Sequence, residues 1–433
     1  MKIKSLSGFS RTFWTANSVE LLERMAYYSM FIGLTIYLTK VVGFTDIQSG
    51  YIGGLFAAGL YFLPPFSGAY ADKIGFRKAL MLAFALLATG YFIMGWLPYK
   101  STIIPALILI MIGGSFIKGV ITGTVAKESE GERKALGFSI FYAVVNIGAF
   151  VGKTYAYPIR LKLGVEYVSL ISAGLMVLAF VMIYLFYKDS YEKSGKSLSE
   201  IWAGFKALLK KTRLLVLIVI VSGFWIVQTQ LYAAMPLFVI RLVGEDAAPE
   251  WLANVNPLVV VLTVVWITRL MKNVSSIRSI TIGMFLMPFS ALAMASGVLI
   301  AKANGGQPIL GLHPVAFMMI IGIMIQALAE VFISPRYLEY FAKQAPEGEE
   351  GMYMGFSNLH SFLSYLFGFI ISGYLLDRFV PDPAKTGGVL PEGAYDQAYM
   401  VWVFYAGLAL TAGIALLIYD YVIRRIDAKK ANG

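Results

Sequence analysis

Twelve stretches of about 20 or more mostly apolar residues follow one another along this chain, and nothing else in the sequence constrains its fold as much. A helix rises 1.5 Å per residue, so about 20 such residues span the hydrocarbon of a bilayer. The first six stretches lie at Phe13–Thr39, Asp46–Ala71, Arg77–Trp96, Thr102–Ala126, Gly137–Ile159 and Tyr167–Tyr187. The other six lie at Leu214–Val243, Leu252–Met271, Ile277–Ala301, His313–Phe341, Gly351–Leu376 and Ala398–Ile423. Of the 433 residues, 58% are hydrophobic and 14% charged, whereas soluble domains carry about 25% charged residues. Lipid is therefore the expected solvent for much of the surface. The chain reads as an all-α integral membrane protein, multi-pass in a cell (inner) membrane.

The loops test that count. With both termini on one side, about 25 Lys and Arg fall on that side and about 8 on the other, and such an excess marks the cytoplasmic face. An even number of spans and two cytoplasmic termini follow as expectations. The short polar segment Met1 to Arg11 has no cleavable signal pattern, so the first stretch is expected to stay as a helix. Only the segment from Lys188 to Arg213 is long; it holds Lys193, Lys196, Lys206, Lys210, Lys211 and Arg213. Within it, Ile201 to Leu209 has the pattern of a short amphipathic helix on the membrane surface. The expected organisation is thus a six-helix bundle over 1–187, a basic cytoplasmic linker over 188–213, and a second six-helix bundle over 214–433. Transporters built from two related halves have this layout, with the binding site at their interface. Pro64, Pro65, Gly113, Gly114, Pro236, Pro288 and Pro335 interrupt the spans and read equally as packing features or hinges.

Several chemistries are excluded. With no cysteine and only His313 and His360, neither a thiolate nucleophile nor a His- or Cys-rich metal site is available. No HExxH or Walker sequence supports an enzyme, and no cofactor is implied. The net charge of +11 reflects cytoplasmic loops, because no basic run with interleaved aromatics suggests nucleic acid.

The informative residues are charges inside apolar stretches. Even the lowest scales put Arg, Lys or Asp at a helix centre about 2.5–3.5 kcal/mol uphill, and such groups face a cavity or one another. The first stretch carries Glu20, Glu23 and Arg24, whose spacings of three and four put them on one helical face. Lys118 interrupts the fourth stretch and Glu330 the tenth. Read as inert, they are snorkelling side chains or buried ion pairs. Read as functional, they line a polar cavity in which Arg24 and Lys118 are positive, Glu330 is negative, and Glu20 or Glu23 can take up a proton. A solute with a carboxylate at one end and an ammonium at the other fits that pattern. Burial and a nearby cation act in opposite directions on a carboxylate's proton affinity, which gives a physical basis for proton coupling.

These residues also form motifs. The run Glu20-Leu-Leu-Glu23-Arg24-Met-Ala-Tyr27-Tyr28 resembles the ExxERFxYY signature of the proton-dependent oligopeptide transporter family, within the major facilitator superfamily. Gly113-Gly-Ser-Phe-Ile-Lys118 is similar to that family's helix-four motif, and Phe141-Tyr142-Ala-Val-Val-Asn146-Ile-Gly148 to its FYxxINxG. Asn256-Pro257 and Glu330-Val-Phe-Ile-Ser334-Pro335 resemble its helix-eight Asn-Pro and helix-ten ExxxSP. Gly68-Ala-Tyr-Ala-Asp72-Lys-Ile-Gly75-Phe-Arg77-Lys78 resembles the superfamily's loop between helices two and three. The resemblance implies the major facilitator fold and a symporter whose partners are protons, a small peptide and the lipid bilayer. It implies that Arg24 and Lys118 face the peptide carboxylate, and that Asn146, Asn256 and Glu330 hold the backbone and amino end. It further implies that Tyr27 and Tyr61 line the pocket, with Glu20, Glu23, Arg24, Lys118 and Glu330 in proton coupling. Packing is the rival reading for the two tyrosines, and helix–helix hydrogen bonding for the two asparagines.

The chain departs from the family in three places. The acid that many members carry on helix seven is missing: no Asp or Glu lies between Leu214 and Val243, where Gln228, Thr229 or Gln230 stands instead. Gly355-Phe356-Ser357-Asn358, followed by His360, occupies the place of an early helix-eleven tryptophan. The linker has no room for the two extra helices of many bacterial members. A neighbouring solute (nitrate, another organic anion or a drug-like compound) is the alternative these departures favour.

Overall fold

A computed structural model describes residues 8–129, 133–188, 198–346 and 350–431. Lys193 and Lys196 of the expected linker lie outside them. Among the described residues the backbone is helical, with one isolated bridge between Ile309 and Leu312. The principal helices of the first part are α1 (Arg11–Ile32), α2 (Asp46–Phe62), α3 (Pro64–Ile74), α4 (Phe76–Trp96), α5 (Lys100–Glu128), α6 (Lys134–Lys162) and α7 (Val165–Phe186). A short helix, α8 (Leu198–Leu209), covers the segment expected to be amphipathic. Then come α9 (Thr212–Gln228), α10 (Met235–Val243), α11 (Val255–Leu270), α12 (Ser276–Ala303), α13 (Pro314–Gln344), α14 (Glu350–Ser357), α15 (Leu359–Phe379) and α16 (Met400–Ala431).

Every expected stretch is helical, and the deviations have local causes. Ten helices among the described residues are long and apolar enough to cross a membrane. Counted as one, the bent pair α2 and α3 brings that number to eleven. Their 50° bend falls where Pro64 and Pro65 begin α3, since proline cannot continue the hydrogen-bond ladder of a preceding helix. The first stretch stands apart because Glu20, Glu23 and Arg24 lower its apolar character. α1 begins at Ser10, whose hydroxyl accepts the Phe13 N–H at 3.0 Å and caps an otherwise orphan donor. The seventh stretch breaks at Thr229 and again at Ala234, just before Pro236.

The chain divides into two compact units. The first takes Met1–Phe44 and Gly59–Ala203; the second takes Thr45–Ala58 and Gly204–Gly433. In the first, α1 packs on α5, α6 and α7, and α4 packs on α5 and α7. In the second, α12 lies against α13 and α16, α9 against α15 and α16, and α11 against α13. The second unit's core is aromatic: Phe238 meets Trp402 edge-on, with ring centroids 5.4 Å apart.

Candidate functional site

Polar and charged side chains gather in each unit. In the first, Glu20, Glu23 and Arg24 are all buried on α1. Arg24 holds Glu20 through Nε at 3.1 Å and Glu23 through Nη2 at 2.5 Å. The guanidinium stays charged under all ordinary conditions, so the two carboxyls are the members that can exchange a proton. Arg24 also lies over the Tyr27 ring, 5.6 Å from its centroid, and Tyr27 stacks on Phe31. Lys118 stands on α5 of the same unit. Its Nζ sits 3.7 Å above the Tyr61 ring, within the range of a cation–π contact.

The motif on α6 has a steric role. A Cβ at Gly148 would stand 2.7 Å from the Arg24 Cβ and 2.9 Å from the Leu21 carbonyl oxygen. Only glycine therefore lets α6 lie this close to the charged face of α1. Small residues allow such approach between membrane helices. Asn146, two residues earlier, donates to the Tyr142 carbonyl at 2.8 Å within its own helix.

The second unit gathers Asn256 from α11, Glu330 from α13 and Gln228 from the last position of α9. Glu330 Oε2 accepts from Gln228 Nε2 at 2.7 Å and from Asn256 Nδ2 at 3.1 Å. Of the three residues that stand where a helix-seven acid was missing, Gln228 thus reaches the candidate site. Thr229 turns back to the Ile226 carbonyl, and Gln230 bonds the carbonyls of Ile226 and Gly368.

A further ionic cluster lies in the same unit. Arg241 of α10 forms a two-point contact with Asp46 of α2, at 2.7 and 3.1 Å. It also reaches Asp382 at 3.2 Å and the Val380 carbonyl at 2.7 Å. The Asp46 side chain is fully enclosed, while that of Asp382 is 12% exposed. Next to it, α2 runs against the backbone of α15, with Gly50 facing Phe369 and Gly373. At the next residue of each helix, the Tyr51 and Tyr374 hydroxyls meet at 3.2 Å.

His360 is a packed group. Its Nδ1 lies 2.6 Å from the Ser357 carbonyl and its Nε2 3.1 Å from the Ser361 hydroxyl. The ring sits between Trp225 and Tyr337, with centroids 5.1 and 4.9 Å away.

The structure thus brings Glu20, Glu23, Arg24 and Tyr27 together, sets Lys118 on Tyr61, and joins Asn256 to Glu330. Sequence reasoning passed over Gln228's contact, the Asp46–Arg241–Asp382 cluster and Lys153. Lys153 is a buried lysine on α6 whose Nζ lies 5.7 Å from the Tyr28 centroid. It was legible as a charge inside the fifth stretch. The Asp46–Arg241 pair was not, because its members stand near stretch ends and 195 positions apart.

Comparison with known proteins places this geometry. Residues 18–305 match the family model described as Major Facilitator Superfamily. The chain is similar to dipeptide and tripeptide permease B of Aliivibrio fischeri (strain MJ11), at 25% identity over 91% of this chain and 92% of that protein. It is also similar to multidrug resistance protein MdtH of Photorhabdus laumondii, at 24% identity over 82% of this chain and 84% of that one. In three dimensions it matches the crystal structure of the POT family transporter PepTSo with a TM-score of 0.76, at 17% identity over 96% and 98% of the two chains. That likeness is one of fold.

Proposed function

This chain belongs to the Major Facilitator Superfamily, and from that premise we propose that it is a proton-dependent oligopeptide transporter. It acts as a secondary active transporter rather than an enzyme, importing di- and tripeptides with protons by alternating access across the inner membrane. The observation that carries this reading is the buried Glu20–Arg24–Glu23 cluster, in a chain alike over nine-tenths of its length to a dipeptide and tripeptide permease.

The proposed cycle follows from what each group can do. Arg24 and Lys118 supply fixed positive charge for a peptide carboxylate, with Tyr27 and Tyr61 beside them. Glu330, held by Asn256, supplies negative charge for the amino end, and Asn146 supplies an amide for the peptide backbone. A proton on Glu20 or Glu23 loosens that carboxyl's hold on Arg24 and frees the guanidinium for the substrate. Loss of the proton re-forms the pair and releases the peptide. Lys118 and Glu330 take part through the charge they add. Both termini are placed in the cytoplasm on the charge bias of the loops.

The test is uptake of a labelled dipeptide by proteoliposomes, with and without an inward proton gradient. Uptake is expected to rise with the gradient and fall when unlabelled dipeptides compete. Glu20→Gln and Glu23→Gln are expected to lose uphill accumulation while keeping exchange. Unchanged uphill uptake in both variants would sink the coupling scheme. A second reading, export or import of a drug-like or other non-peptide solute, draws on the likeness to a multidrug resistance protein; failure of every dipeptide to compete would favour it.

A further inference from the structure

The end of α9 is docked on α13 by two contacts one helical turn apart. Where α9 breaks after Gln228, Gln326 of α13 donates to the Val227 carbonyl at 3.2 Å. Four residues further along α13, Glu330 accepts from Gln228 at 2.7 Å. The break and its repair therefore fix where the Gln228 side chain begins, and Glu330 fixes where it ends.

The orientation of that amide is set by chemistry. An ionised carboxylate only accepts hydrogen bonds, so Gln228 must present Nε2 to Glu330 and turn Oε1 away. Gln228 is 8% exposed, and its Oε1 is buried without a hydrogen-bond partner among the described residues. Native proteins seldom leave a buried acceptor unmet, so such a group calls for a physical reason. The arrangement gains a fixed carboxylate. Asn256 donates to the same oxygen, Oε2, at 3.1 Å. Two N–H donors from two different helices, converging on one oxygen, restrict rotation of the carboxyl about its last torsion.

We infer that Gln228 is a positioning residue for Glu330, and that through it this chain sets its preference for ligands with a charged amino end. The second half of that statement rests on the peptide reading above; the first half does not.

The experiment compares wild type with Gln228→Met, which keeps the volume and removes the amide, in proteoliposomes. Labelled dipeptide uptake is inhibited in turn by an unlabelled dipeptide and by its N-acetylated form. In Gln228→Met the dipeptide KM is expected to rise about tenfold with maximal rate unchanged, the effect of losing one charge-assisted hydrogen bond. The ratio of the two inhibition constants, acetylated over free, is expected to fall by the same factor. The melting temperature is expected to hold or rise. A lower melting temperature with an unchanged ratio means a packing role and overturns the inference. If wild type takes up no dipeptide, the peptide reading has failed, and labelling of Glu330 by a carbodiimide, read by mass spectrometry, decides the positioning role without substrate. Faster labelling of Glu330 in Gln228→Met supports that role, and equal rates overturn it.

Discussion

Neutralising Asp46 should be far more damaging than neutralising Asp382, although both carboxylates hold the same arginine. Asp46 offers both oxygens to Arg241, at 2.7 and 3.1 Å, from a fully enclosed position. In Asp46→Asn one of those oxygens becomes an NH2 group aimed at the guanidinium, and the buried charge loses its main partner. Removing one member of a buried ion pair costs about 3–5 kcal/mol. Asp382 makes a single contact of 3.2 Å and is partly exposed. Its other oxygen caps the Ala384 N–H at 3.0 Å, a bond that asparagine keeps. Asp382→Asn leaves a balanced one-to-one pair, so its expected cost is about 1 kcal/mol or less.

Thermal unfolding of the purified protein in detergent, followed by tryptophan fluorescence, reads the difference. For a cooperative unit of this size about 2–4 °C is lost per kcal/mol, so Asp46→Asn should melt about 6–20 °C below wild type. The double variant Asp46→Asn/Arg241→Met should recover part of that loss, because no uncompensated cation remains. The cycle should return an interaction energy of about 2–3 kcal/mol. Asp46→Asn melting with wild type, or Asp382→Asn losing as much as Asp46→Asn, would refute the assignment of Asp46 as the principal partner.

Two further outcomes test the first unit. Gly148→Val should abolish uptake and lower stability by about 1–3 kcal/mol through overpacking, because its Cβ would stand 2.7 Å from the Arg24 Cβ; wild-type uptake in this variant would show that α6 need not approach α1 so closely. Tyr61→Phe should keep the face under Lys118, whereas Tyr61→Leu should forfeit about 1 kcal/mol of cation–π attraction, roughly a fivefold rise in dipeptide KM; equal KM values in the two variants would remove Tyr61 from the site.

What could be read in advance was whatever contradicted its own surroundings. Glu20, Glu23, Arg24, Lys118 and Glu330 each place an ionisable group in an apolar helix, and that conflict is visible without a partner. Pro64 and Pro65 were legible as an interruption for the same reason, since the ring forbids the ladder locally. What stayed hidden depends on a second position far along the chain. Asp46 and Arg241 lie near the ends of their stretches, where charge is ordinary. Only the fold makes them a buried pair. Gly148 was visible as a motif letter, but its meaning needs the backbone of α1 beside it.

Gln228 joins the two cases. The seventh stretch was notable for lacking the acid that many members of the resembled family carry there. The structure replaces the absence with a contact. Gln228 Nε2 lies 2.7 Å from the Glu330 carboxylate, so an acid at this position would set two carboxyl groups against each other at hydrogen-bond distance. Two carboxylates that close disfavour each other's charge. An amide there supplies the donor that the carboxylate needs and adds no charge. The neutral residue on α9 and the acid on α13 are therefore one arrangement, and a change at either position alters what the other can do.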